Sequence, residues 1–389
     1  MQFARRLVLI VLAMLGLAMG QARANPMLLV DMDSLQVLYA QDAGAPWHPA
    51  SLTKLMTAYV TFEAIAAGKV TLDTPVVLSQ NAINQAPAKS GLPKDSAMSL
   101  KDALYIMLVK SANDVAIAVA ETVGGSEDQF VVMMNETAAR MGLTASHFVD
   151  PNGLHAAGQE MSARDLAVLS LYIRQNFPQY DAMFSTDMVQ VDKFSLESNN
   201  ALLTSFAGTT GMKTGFICAS GLNMVVTVER NGHRLLAVVL GGSSARDRNE
   251  RTAELVLRGL NGELNGTAQN ILSVTNNIGT PAVDMRQLIC GKGAAAYVKA
   301  QEAAFPMGMK GQPSYLNDDV APRVYQATNL GRVRPNIDLP RPRPMHVAVF
   351  PVAVAEPVIA GLDATLRPGL PVAGGSAIPF PRPRPSFLN

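Results

Sequence analysis

Ser51-Leu-Thr-Lys54 sets a hydroxyl and an amine three residues apart. On a helix that spacing puts both side chains on one face, one turn apart. Together they are a nucleophile beside a base, and the dipole at a helix N-terminus favours negative charge developing there. Leu52, Leu55, Met56, Tyr59, Val60 and Ile65 recur at helical spacing, Pro49 marks the turn into the run, and Gly68 ends it. The run is apolar nearly all round, so the helix is expected to cross a core. A Lys facing such a core loses hydration, its pKa falls, and it becomes competent as a neutral base. Alone the pattern is weak. Ser-x-x-Lys arises by chance roughly once in a chain this long, and a capped helix with a solvated Lys is the plainer explanation.

Two more polar sets follow. Ser111-Ala-Asn113 breaks two apolar helical stretches, 103–109 and 115–122, with Gly124-Gly125 stopping the second. Polar groups held there on packed helices are well placed to face a cleft; the bland alternative is a solvated turn with Ser as N-cap. Lys213-Thr214-Gly215 runs into Phe216 and a β-branched stretch, 222–228.

The elements that must carry these groups are legible in outline. Short apolar runs at 27–30 and 37–39 read as a hairpin, and Asn231-Gly232 joins the 222–228 strand to a return strand at 235–240. Residues 71–99, with three prolines, are expected to wrap the surface. Ser99 and Asp102 resemble a capping box, and Ser126 and Ser162 open further helices. Asp150-Pro-Asn-Gly153 makes a tight turn in the loop 147–158, and a charged amphipathic helix starts at Ala245. Strands at both ends enclose a helical middle. The expected fold class is α+β, an antiparallel sheet flanked by helices with an inserted all-helical lobe.

Residues 1–24 read as a signal peptide: Arg5-Arg6, an apolar run from Leu7, and Ala22-Arg-Ala24 as cleavage site. No later run is long enough to span a bilayer. Export to the periplasm or cell envelope makes Cys218 and Cys290 a candidate disulfide, two buried free thiols being the alternative. The net charge of +1 among 389 residues offers no argument for nucleic-acid binding. The chain divides into a catalytic domain at 25–264, an extension of uncertain structure at 265–309, and a Pro/Arg-rich, disordered tail at 310–389. In that tail Leu339-Pro-Arg-Pro-Arg-Pro344 recurs as Phe380-Pro-Arg-Pro-Arg-Pro385. Paired arginines there suit weak contact with anionic wall polymer or membrane.

The three motifs, in this order, occur in penicillin-binding proteins and class A β-lactamases. With Leu108-Val-Lys-Ser-Ala-Asn-Asp114, Asp150-Pro-Asn-Gly-Leu154 and Ser162-Ala-Arg-Asp165, residues 25–262 resemble the serine D-alanyl-D-alanine carboxypeptidases, the low-molecular-mass penicillin-binding proteins. The resemblance implies a peptidoglycan stem peptide ending in D-Ala-D-Ala as substrate, β-lactams as covalent inhibitors, and neither metal nor cofactor. It implies Ser51 as nucleophile, Lys54 as base, Ser111 as proton relay, and Asn113 as ligand of the substrate's backbone amide. Lys213 and Thr214 would meet the terminal carboxylate, with Gly215 beside them. Backbone N–H groups of Ser51 and Phe216 would form the oxyanion hole.

The chain departs from its relatives in lacking a clear C-terminal β-rich domain or anchoring amphipathic helix. Phe216 also stands where many relatives have a polar residue. A class A β-lactamase needs a carboxylate for the deacylating water; Asp150 and Glu160 are present, but without the Glu-x-x-Leu-Asn pattern. A non-turnover, β-lactam-sensing module is the non-enzyme alternative. His48, His147 and His155 have no recognisable triad partners, and nothing around Cys218 argues for a nucleophile.

Overall fold

A computed structural model describes residues 25–264 and 266–333. The signal-peptide reading of 1–24 and both Pro/Arg repeats lie outside the described residues. The chain opens with β1 (Met27–Asp31) and β2 (Val37–Gln41), then enters helix α1 (Lys54–Ala66) through a 3₁₀ turn, Ala50–Thr53. The helical lobe follows as α2 (Leu100–Val109), α3 (Asn113–Gly124), α4 (Glu127–Arg140) and α5 (Ala163–Asn176). Each of α2, α4 and α5 starts where the sequence puts a serine, and Ser99, Ser126 and Ser162 each accept from a backbone N–H three residues on. A hairpin, β3 (Met188–Val191) and β4 (Phe194–Glu197), went unread in the sequence. Its turn uses Asp192 at φ 49° instead of an Asn-Gly pair.

The main sheet closes with β5 (Thr209–Ile217), β6 (Gly221–Arg230) and β7 (His233–Gly242), and α6 (Ala245–Leu260) packs on its outer face. Its strand order is β2-β1-β7-β6-β5, antiparallel throughout, so the two ends of the catalytic segment meet in the middle of one sheet. Asn231 and Gly232 both take positive φ in the β6–β7 turn, as a two-residue hairpin demands.

Both faces of the sheet are buried, which explains why its central strands read as apolar runs and not as an alternation. Leu28, Val30, Val225, Leu236 and Val238 pack towards the helical lobe. Leu29, Val226, Val228, Ala237 and Val239 pack with Ala253 and Val256 of α6. Strand β5 is the edge beside the lobe, and in its register Lys213 lies opposite Val225, on the lobe-facing side.

The tail reading begins too early in the sequence. Residues 310–333 are ordered, and β8 (Val324–Ala327) adds in parallel to β3 to complete a three-stranded sheet. Tyr325 stacks on Tyr105 of α2, with ring centroids 3.5 Å apart, and donates a 2.8 Å hydrogen bond to Asp102. The composition-based reading failed because a strand of four residues leaves almost no periodic signal; its partner lies over 130 residues upstream. The extension 266–309 holds α7 (Ala294–Ala304) and short turns, and β8 is the one strand after residue 264 among the described residues. No described helix is long and apolar enough to cross a membrane.

Candidate active site

The pairing of Ser51 with Lys54 comes from a change of helix type. The 3₁₀ turn has about three residues per turn, so residues three apart are eclipsed more closely than on an α-helix. Ser51 Oγ lies 2.9 Å from Lys54 Nζ, and Lys54 is then the first residue of α1. The turn forms because Ala50 adopts φ 50°, an uncommon conformation for a residue with a Cβ. It is packed from two sides by glycines. A Cβ on Gly153 would lie 1.9 Å from Ala50 O, and one on Gly215 would lie 2.8 Å from Pro49 O and 3.1 Å from Ser51 N. From behind, Asn223 on β6 donates to the carbonyls of His48 and Pro49.

Lys54 is fully buried. Besides Ser51 it reaches Asn113 Oδ1 at 2.8 Å and the carbonyl of Asn152 at 2.5 Å. Burial pulls its pKa down to about 7, although the Asp150 and Asp114 carboxylates pull the other way. A neutral amine has two N–H groups and one lone pair. With two oxygens that can only accept, the lone pair is left for the Ser51 hydroxyl proton.

Ser111 sits between α2 and α3 at φ 64°, a strained conformation for a serine. Its Oγ accepts from Lys213 Nζ at 2.9 Å, and Lys213 also donates to Thr214 O. Lys213 is buried, and its pKa is held well below the ordinary value by burial, then by the neighbouring Lys54 and Arg248 charges. The Thr214 hydroxyl has no hydrogen-bond partner among the described residues. Phe216 is half exposed at the end of the same strand.

Thus the structure gathers Ser51, Lys54, Ser111, Asn113, Lys213, Thr214 and Gly215 at one seam between β5 and the lobe. Asn113 has a role the sequence did not suggest. Its oxygen holds Lys54 and its amide donates to Ala86 O, so it fixes where the amine points.

Three more residues act on the site. Asn152 supplies a carbonyl to Lys54, Asp150 supplies a nearby negative charge, and Arg248 supplies a buried positive one. The Asp150-Pro-Asn-Gly153 turn was visible in sequence. Nothing in sequence tied Arg248 to Lys213. Asp150 Oδ1 is taken up by the N–H groups of Asn152 and Gly153 and by Gln159, a turn-building arrangement that disfavours the β-lactamase reading. His147 contacts Gly158 O and His48 contacts Gln159 O; neither approaches Ser51 as a base. Cys218 and Cys290 are joined in a disulfide. No group of His, Cys, Asp or Glu among the described residues is arranged to hold a metal ion.

Fold and site together set a serine hydroxyl beside a buried amine at a cleft edge, an arrangement suited to serine acyl transfer with an amine where other serine enzymes use an imidazole. The family model described as D-alanyl-D-alanine carboxypeptidase matches residues 15–244. D-alanyl-D-alanine carboxypeptidase DacD of Escherichia coli K12 is 33% identical over 270 residues, covering 68% of this chain and 69% of that protein. DacF of Bacillus subtilis is 29% identical, covering 60% of this chain and 61% of that protein. Among solved structures, penicillin binding protein 6B from Escherichia coli aligns with a TM-score of 0.58 at 33% identity, covering 62% of this chain and 78% of that one. Penicillin-Binding Protein D2 from Listeria monocytogenes, in its cefotaxime-bound form, aligns at 0.54 and 31%, covering 61% and 97%. The chain belongs to the serine D-alanyl-D-alanine carboxypeptidase family, within the penicillin-binding proteins. The matched segment is about two thirds of the length of these curated relatives, at 69% and 61%.

Proposed function

We propose that the protein removes the terminal D-alanine from peptidoglycan stem peptides through an acyl-enzyme on Ser51, and that β-lactams acylate the same hydroxyl. The observation that carries this is the 2.9 Å approach of Lys54 Nζ to Ser51 Oγ, with the other contacts of Nζ both to carbonyl-type oxygens. Neutral Lys54 takes the Ser51 proton as Oγ bonds to the carbonyl carbon between the two D-alanines. The N–H groups of Ser51 and Phe216 receive the oxyanion. As the C–N bond breaks, the proton passes through the Ser111 hydroxyl to the departing amine, and free D-alanine leaves. Water then attacks the ester with Lys54 again accepting the proton, which it returns to Ser51 Oγ as the ester C–O bond breaks and the shortened peptide is released.

Lys213 and Thr214 would bind the terminal carboxylate. An incoming carboxylate favours protonated Lys213, opposing the burial and the Lys54 and Arg248 charges that depress it. That carboxylate distinguishes a chain end from mid-chain peptide. Asn113 Oδ1 keeps a second lone pair, which can accept from the substrate's backbone amide while still holding Lys54.

We further assign export by residues 1–24 and action in the periplasm or cell envelope, with weak wall contact through the Pro/Arg repeats. Intact mass after mixing with benzylpenicillin, alongside D-Ala release from a diacylated Lys-D-Ala-D-Ala tripeptide, tests the enzymatic reading. An adduct with D-Ala release is expected, both lost in Ser51→Ala. Drug hydrolysis without a lasting adduct would point to a β-lactamase, and an adduct without release to a sensor.

A further inference from the structure

We infer that Arg286, from the segment beyond the family-matched region, recognises a carboxylate on the acyl side of the substrate, upstream of the scissile bond. This rests on the carboxypeptidase reading above, which orients the substrate along β5. If the terminal carboxylate lies at Lys213 and Thr214 and the oxyanion at Phe216, the acyl part must leave in the opposite direction, towards Ile217 and Cys218.

The extension is secured at that place. The Cys218–Cys290 disulfide ties it to the turn after β5, and Met285 N donates to Ala219 O at 2.9 Å while its side chain is buried. From this anchorage Arg286 Nη2 reaches His155 Nε2 at 2.7 Å. His155 follows Gly153, which packs on Ala50, and its ring meets that of His48 edge-on at 5.6 Å, three residues before Ser51. Arg286 therefore links the segment tied to the β5 turn with the loop beside the nucleophile.

The guanidinium is held ready and not fully occupied. Asp284 grips it through Nε at 3.3 Å and Nη2 at 3.0 Å, and His155 takes another Nη2 direction. The two N–H groups of Nη1 have no protein partner among the described residues, and the side chain is 48% exposed. Asp284 offsets the net charge, so recognition comes from oriented donors more than from long-range attraction. A planar donor set held on two sides loses little freedom when a carboxylate arrives.

The test uses the mature protein and two substrates, Nα-acetyl-L-2-aminopimelyl-D-Ala-D-Ala with a free side-chain carboxylate and the same peptide as its side-chain amide. The wild type is expected to favour the carboxylate by about tenfold in kcat/KM, the order of one charge-assisted hydrogen bond. Arg286→Gln should bring the two substrates to parity, with amide-peptide turnover and benzylpenicillin acylation unchanged. Equal turnover of both by the wild type, or a preference that survives Arg286→Gln, overturns the inference while leaving the carboxypeptidase reading intact. Absence of D-Ala release from either peptide overturns both.

Discussion

In the mechanism we propose, the chemistry of Ser51 depends on one proton, that of Lys54. Burial holds the Lys54 pKa at about 7, so its neutral form, the base, prevails above that value and is lost as pH falls through it. Acylation by benzylpenicillin should therefore rise about tenfold per pH unit below the midpoint and level off above it. A stopped-time mass series from pH 5 to 9 (about one point per half unit) reads this directly; a flat profile would remove Lys54 as base. Lys54→Ala should slow acylation by about 10²–10⁴-fold without displacing Ser51, whose turn is built by backbone contacts. Asn113→Ala should also impair acylation, because it frees the amine to point away from the hydroxyl. Its pH midpoint should shift as well, an effect that loss of a substrate contact alone would not cause.

Elements position that pair by close backbone approach, so small changes in strand and loop should travel to Ser51. Gly215→Ala places a methyl group against Pro49 O and Ser51 N, both backbone atoms unable to swing aside. We expect at least a tenfold loss of acylation rate, measured with benzylpenicillin, while far-ultraviolet dichroism stays native. Strand β8 makes a different contribution. It holds β3 and α2 together through the Tyr325–Tyr105 stack and the Tyr325–Asp102 hydrogen bond. Tyr325→Ala should cost about 1–3 kcal/mol in denaturant unfolding with little change in acylation, since α2 carries the lobe but ends before Ser111. An unchanged unfolding midpoint would mean that the strand is ornamental to stability.

At the scale of the molecule, the C-terminal extension is part of the folded body. The disulfide closes a loop with a sequence separation of 72 residues, and its removal by Cys290→Ser should destabilise the protein by about 2–4 kcal/mol. Equal unfolding midpoints for oxidised and reduced protein would refute this. Ending the chain after residue 309, where composition alone puts the boundary of a tail, should lower the melting temperature, because it removes β8 and the contacts of Ser314 and Tyr315 with buried Glu250.

The sequence alone determined the parts governed by local rules. Serine caps, the Asn231-Gly232 hairpin and apolar periodicity each depend on residues within a few positions of one another. They were sufficient for the α+β class and for the helical lobe within the sheet, whereas Ser51, Lys54, Ser111 and Lys213 were grouped by the resemblance of their motifs to the family. Tertiary structure decided what depends on long-range approach. The 3₁₀ turn at Ser51 reflects the packing of Gly153 and Gly215 against it from about 100 and 160 positions away, beyond any helical propensity. The hold of Asn113 and Asn152 on Lys54, the field of Arg248 at Lys213, and the reach of Arg286 to His155 likewise join groups with no periodic relation in the chain. Strand β8 was hidden for the same reason: a strand is stabilised by its neighbour, and its neighbour is known only once the chain has folded.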